Sequence, residues 1–401
     1  VVEAPDILSE NFARDPYGSY RVLRDDYPVL FHEATSSWII SRIDDVERAF
    51  RDPNFTSDNY SWQLEPVHGR TVLQMEGKEH SMTRNLITPA FRGSQLTEKF
   101  APVIERNARE LIDPWRNDGH VDLVPAFTTH FPVNVIVDML GLSKSDHDLF
   151  HGWYTAIMAF LANLAQDPEV TARGLEVKEE LRSYLLPIIA ERRADPGEDL
   201  LSTLCNAEID GERLSDVDIK AFVSLLLVAG GETTDKAMAS LMKNLVDHPD
   251  QMAAVRSDRS LITTAFAETL RFSPPVHMIM RQPKADVELH GTVIPAGSTV
   301  TCLLAAANRD DRRYDRPDEF DLKRQDLDFA RAFAAAANHT AFALGRHFCV
   351  GAMLAKTEVE IATNLLLDAM GDVRYSDGFV PTEEGVFTRS PKSLRLDFTP
   401  K

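Results

Sequence analysis

Phe342-Ala343-Leu344-Gly345-Arg346-His347-Phe348-Cys349-Val350-Gly351 delivers one cysteine, bracketed by glycines, to the start of a run patterned as a helix, Ala352 to Ile361. Unpaired backbone N–H groups and the macrodipole at a helix N-terminus favour an anion, so the thiol pKa is expected to fall and the thiolate to become available. Gly345 and Gly351 let the backbone wrap closely around a flat partner, and His347, two residues from the sulfur, can donate to an acidic group. A buried free cysteine and a hydrolase nucleophile remain as alternatives. A hydrolase, however, brings its histidine from elsewhere in the fold. Axial thiolate ligation of haem needs one cysteine and no cysteine partner.

Working outward, the 401 residues carry 43 Lys and Arg against 62 Asp and Glu, a net charge of −19 that argues against a partner held by nucleic-acid phosphates. Forty-four per cent hydrophobic residues is enough for a large core. Cys205, Cys302 and Cys349 are far apart with no CxxC pair, which argues against a disulfide framework or structural zinc and fits a reducing cytoplasm. No low-complexity linker or repeat divides the chain, so residues 1–401 are expected to form one domain. The longest central apolar run, Ala221 to Gly231, is too short for a bilayer and no signal-like stretch opens the chain, so no membrane anchor is expected.

The periodicity predicts a mainly α fold with small β-sheets. Helical spacing covers Tyr17–Asp26, Ile43–Arg51, Glu79–Phe91 and Thr97–Trp115. A longer pattern runs from Ser215-Asp216 without proline to Pro249, about 33 residues or roughly 50 Å, apolar nearly all round its centre. Ser260–Phe272 is a further helix stopped by Pro274-Pro275. Strand signals occur at Trp38–Ser41 and are concentrated at Asp286–Leu289, Ile294 and Thr299–Leu304. Residues 308–338 are irregular and lead into the cysteine loop and a helix to about Met370.

Inside the long helix, Gly230-Gly231 costs about 2 kcal/mol of propensity, which something must offset. Either the glycines open a groove for a ligand, to which Glu232 and Thr233 could pass protons, or they permit a close helix crossing with the threonines bonding back to the preceding turn. Glu268 and Arg271 share a helix face, as do His80 and Arg84; the latter pair suits one carboxylate between them. Arg281 and His347 add donors from other segments.

In order and spacing, His80-x-x-x-Arg84, Ala229-Gly-Gly-Glu-Thr-Thr234, Glu268-x-x-Arg271, Arg281 and Phe342-x-x-Gly345-x-His347-x-Cys349-x-Gly351 resemble the soluble bacterial members of the cytochrome P450 family. The resemblance runs from Asp15-Pro16-Tyr17 through Asn308-Arg309-Asp310 and Pro317-x-x-Phe320 to the end. It implies the family fold, with the long helix over haem b, and Cys349 as axial ligand of the iron. His80, Arg84, Arg281 and His347 would hold the haem propionates, Phe342 would pack near the sulfur, and Arg324 would join Glu268 and Arg271 in an ion-pair network. Glu232 and Thr233 would deliver protons to bound dioxygen, with Gly230 and Gly231 making room. Val72, Leu73, Leu225, Val228, Ala229, Val276 and Phe387 would face a hydrophobic substrate such as a terpenoid, steroid, fatty acid or polyketide-type molecule. Ala343 departs from the family's usual glycine, and the alanine-rich Arg331–Asn338 lengthens the approach to the loop.

The implied reaction is insertion of one atom of dioxygen into the substrate by a cytoplasmic, monomeric monooxygenase. Electrons would come from NAD(P)H through a ferredoxin reductase and a separate ferredoxin, docking on a basic patch of Arg84, Arg92, Arg346 and Lys356. Alternatives are a peroxide-driven or redox-neutral haem-thiolate reaction and a non-catalytic haem ligand sensor.

Overall fold

The computed structural model describes residues 3–163 and 166–401. Helix α1 (Pro16–Asp26) begins with Asp15 capping the N–H of Tyr17 and Pro16 in the first turn, where its missing N–H costs nothing. It feeds β1 (Val29–His32), β2 (Ser37–Ile40), α2 (Ile43–Arg51) and β3 (Phe55–Thr56). Then come α3 (Gly77–Ile87), continued by a 3₁₀ turn through Pro89 to Phe91, and α4 (Ala101–Ile112), preceded by a π-type turn over Gln95–Phe100. The two helical patterns read from sequence are therefore each split near a chain feature that breaks the α ladder. Strand β4 (His120–Asp122) is followed by α5 (Phe131–Met139), α6 (His147–Leu161) and α7 (Pro168–Ala194).

The long helix α8 (Asp216–Asp247) has 32 residues. Ser215 caps it through a reciprocal box with Asp218, and His248-Pro249 ends it. Twenty-two of its residues are buried, so both its flanks carry packed elements. After α9 (Leu261–Phe272), β5 (Met278–Pro283) and β6 (Thr299–Leu303) complete a five-stranded sheet in the order β1-β2-β6-β5-β3. β6 runs parallel to β2, Thr299 opposite Ser37, and the other neighbours are antiparallel. Helix α10 (Ala352–Ala369) leads into β7 (Met370–Tyr375), which pairs with β8 (Arg395–Pro400) and through it with β4.

β structure is thus less concentrated than its sequence signals suggest. Val287–Leu289 and Thr292–Ile294 form the expected small hairpin, but a second sheet gathers segments from both halves of the chain. Its strands are short and one pairing carries a register shift, which leaves little alternation to read. The largest apolar cluster lies around α8, from Phe91 and Phe131 to Leu366. Among the described residues no helix is long and apolar enough to cross a membrane.

Candidate active site

Between α8, the Cys349 loop, α3 and β5 lies a cavity of about 270 Å³, walled mostly by carbon. Cys349 lines it, just before α10. Its own N–H donates to the carbonyl of Phe342 at 2.9 Å, which closes the loop, while the N–H groups of Gly351 and Ala352 turn to the sulfur. The net effect on acidity differs from the sequence expectation. Burial pushes the thiol up, and the two N–H groups and Arg84 only partly pull it back. Helix-end donors alone do not make a thiolate in so apolar a setting; a cation bonded to sulfur would. Among the described residues no cluster of three or more His, Cys, Asp or Glu side chains could hold a metal ion, so the cysteine stands without protein co-ligands.

His80, Arg84, Arg281 and His347 all reach this cavity. Their convergence comes from three places in the fold: α3, β5 and the cysteine loop. The imidazoles of His80 and His347 lie 4.3 Å apart, and each has a buried Nε2 with no hydrogen-bond partner. Glu76 approaches His347 only to 3.5 Å. Arg84 donates to the Phe348 carbonyl at 2.5 Å, and Arg281 lies over the Phe50 ring at 4.6 Å. Burial lowers the pKa of His80, with Arg84 adding to it, and holds His347 well below the ordinary imidazole range, with His80 and Arg281 adding to it. Two orphaned imidazole nitrogens, each able to donate as Nε2–H, beside two guanidinium groups call for an anion. A planar group with two acidic arms and a metal ion that the sulfur could ligate would meet both demands, so the residues present fit haem.

Gly345 takes another role. At φ 69°, its missing Cβ would stand 2.6 Å from the Phe50 carbonyl oxygen, so it packs the loop onto α2 and does not line the cavity. Gly351 does line it; a Cβ there would meet only the Cys349 sulfur, at 3.8 Å. Phe342 lines the cavity, its ring tilted against that of Phe333 and edge-on to that of Phe348.

The two helix glycines answer a packing need. A Cβ on Gly230 would lie 2.9 Å from Ile136 Cδ1, and one on Gly231 would lie 3.2 Å from Val133 Cγ2, so α5 crosses α8 at this point. Gly230 also borders the cavity; Gly231 does not. Thr233 borders it with its hydroxyl bonded back to the Ala229 carbonyl at 2.6 Å. Glu232 is turned the other way. It accepts hydrogen bonds from Tyr154 and from Thr388, the latter at 3.0 Å, and pairs with Lys236 at 3.1 Å.

Of the apolar positions expected to face a substrate, Val72, Leu73, Leu225, Ala229 and Val276 line the cavity. Val228 instead belongs to the main core, and Phe387 packs in the N-terminal cluster with Tyr17 and Ile39. Phe222 and Leu226, on the cavity stripe of α8, were detectable by helical spacing from Ala229 and Thr233. Tyr60, Ile279 and Glu358 also line the cavity and carry no such signal. Glu358 is 2% exposed; its Oε2 meets the Thr234 hydroxyl at 3.4 Å and its Oε1 has no partner. Burial pushes this carboxyl up to about 8.

Behind the cavity, Glu268 and Arg271 form two hydrogen bonds of 2.7 and 2.8 Å, and both side chains are fully buried. Arg324 joins at 3.2 Å. Arg271 also donates to the carbonyls of Asn308, Pro317 and Glu319, so one guanidinium organises the irregular segment that precedes the cysteine loop. The expected basic patch is thinner than its sequence suggests. Arg84 points inward, Arg346 pairs with Glu76 at 2.7 Å, and Lys356 faces Glu360 at 3.6 Å; Arg92 remains exposed.

Comparison with known proteins gives the family. The sequence model described as Cytochrome P450 matches residues 19–370. A pulcherriminic acid synthase of Bacillus subtilis (strain 168) is 41% identical over 98% of this chain and 97% of its own length. The monooxygenase PikC of Streptomyces venezuelae is 34% identical over 91% of this chain and 86% of its own. Among solved structures, cytochrome P450 CYP109Q5 from Chondromyces apiculatus superposes with a TM-score of 0.88 at 31% identity, covering 99% of this chain and 98% of that one. The chain therefore belongs to the cytochrome P450 family.

Proposed function

We propose that this chain is a haem-thiolate monooxygenase acting on an apolar small molecule, with Cys349 as the residue that would ligate the iron. The observation that carries the reading is one cavity in which a lone sulfur faces two histidines with orphaned buried nitrogens and two arginines. Haem held there supplies reductive activation of dioxygen, one atom entering the substrate and the other leaving as water with two electrons and two protons.

The chain's own residues do the rest. The Gly351 and Ala352 N–H groups orient the sulfur, and His80, Arg84, Arg281 and His347 receive the propionates. Val72, Leu225, Val276 and their neighbours exclude water and bind the substrate by its apolar surface. Thr233 presents a hydroxyl to the cavity, and Glu232, one residue away, moves protons between solvent and that hydroxyl. Electrons arrive from NAD(P)H through a reductase and a ferredoxin. The 41% identical relative makes pulcherriminic acid the first product to seek.

The test is spectral. Purified protein reconstituted with haem is expected to give the far-red Soret maximum of a thiolate–carbonyl complex on reduction under CO, and Cys349→Ser to lose it. A colourless parent, or a Cys349→Ser variant with the parent's spectrum, overturns the assignment. A ligand screen for the low-to-high-spin Soret shift then identifies the substrate.

A further inference from the structure

Glu232 sits where three elements meet, and each contributes a donor to its carboxylate. Tyr154 of α6 donates to Oε2, and Thr388, in the C-terminal loop, donates to Oε1 at 3.0 Å. Lys236, one turn further along α8, lies 3.1 Å from the same Oε1. Both members of the Glu232–Lys236 pair are almost wholly buried, with side-chain exposures of 11% and 12%. The carboxylate does not border the cavity, whereas Gly230, Thr233 and Thr234 around it do. Tyr154 is itself anchored: its ring fills the space a side chain at Gly231 would need, its Cε2 standing 3.4 Å from that missing Cβ. Thr388 is held in place by its bridge to Val276, a cavity residue.

The Glu232 carboxylate faces its three donors and not the cavity, so it reaches a partner in the cavity only by rotating away from at least one of them. We propose that Tyr154 and Thr388 are positioning residues that hold Glu232 turned from the cavity, so that proton transfer through it waits on release of one of these two hydroxyls. The proposal rests on the reading of Glu232 as the proton carrier. A proton that Glu232 gives inward is made good by one from solvent, and the carboxylate ends as it began. Lys236 keeps its charge pairing through the rotation because it lies on the same helix.

Haem-loaded Tyr154→Phe, Thr388→Val, Thr388→Ser and Glu232→Gln are driven by NADPH through a reconstituted ferredoxin pair without organic substrate. The solvent isotope effect on NADPH oxidation and the share of electrons recovered as hydrogen peroxide are read. Tyr154→Phe and Thr388→Val are expected to lower both at least twofold, because a freed Glu232 relays protons from solvent into the cavity sooner. Thr388→Ser, which keeps its hydroxyl, should match the parent. Glu232→Gln should raise the peroxide share. Parent-like values in both hydroxyl-deletion variants, or a rise in peroxide with either, overturn the clasp. Parent-like values in Glu232→Gln overturn the reading of Glu232 and the clasp with it. An activity-independent readout is thermal unfolding of the haem-loaded protein. The Tm loss from Tyr154→Phe should shrink at least twofold in a Glu232→Ala background, and equal losses in both backgrounds overturn the contact as the source of the hold.

Discussion

The cysteine loop contains an alanine in a conformation that suits glycine. Ala343 stands at φ 56°, where a Cβ crowds the backbone, and its own N–H is tied to the Thr340 carbonyl at 2.9 Å so the turn cannot relax. Ala343→Gly should relieve about 1 kcal/mol, a rise of roughly 1 °C in Tm for a chain of this length. Two residues on, Gly345→Ala should cost several kcal/mol, because its Cβ would meet backbone of α2 and neither side can give way. Scanning calorimetry of the haem-loaded variants checks the opposite signs. The loop's role was legible because a lone cysteine between glycines ahead of a helix has few other uses. The strain at 343 was visible only as a departure from the family pattern. Which way Glu232 turns was not legible, since its three partners come from segments 78 and 156 residues away and from its own helix.

At the scale of elements, α8 was readable in length and cap because its start is local chemistry and its end is a proline. Its facing was not. A helix that is apolar nearly all round has no stripe to orient it, so Val228 could not be assigned to core or cavity from sequence, and the glycines could not be assigned to groove or crossing. The contact between α8 and α10 carries a titration that can be measured. Thr234 meets Glu358, whose carboxyl is raised to about 8, while Asp235, bonded to Thr128 at 2.6 Å, is raised to about 6, in both cases by burial first. A raised carboxyl means the folded chain holds a proton that the unfolded chain has released. Its stability contribution is therefore full below the unfolded value and is lost as pH climbs through the folded one. Glu358→Gln should flatten the fall of stability with pH between about pH 4.5 and 8, by about 1 kcal/mol per pH unit at the steepest, and leave the part below about pH 6 that Asp235 supplies. Parallel Tm curves for the two proteins would mean Glu358 does not titrate in the fold.

For the whole molecule, a net charge of −19 sets a problem for the electron donor proposed above, because an acidic ferredoxin would be repelled at long range. The sequence supplies cationic residues near the cysteine, but it cannot show which of them the fold consumes. Arg84 is drawn to the Phe348 carbonyl, and Arg346 holds Glu76 and the Phe55 carbonyl, tying the cysteine loop to α3 and β3. Arg92 follows the 3₁₀ turn after α3, lies close enough to repel Arg84's charge, and stays exposed. The two exposed-looking arginines should therefore respond differently to charge reversal. Arg92→Glu should slow reduction by an acidic ferredoxin about tenfold at low salt, with the difference closing as salt screens the encounter and the haem spectrum unchanged. Arg346→Glu should place like charges beside Glu76 and lower haem occupancy whatever the salt, because it breaks the loop rather than the encounter. Stopped-flow reduction across a salt series, read beside haem content, separates the two; equal salt-sensitive slowing by both variants would return Arg346 to the docking surface.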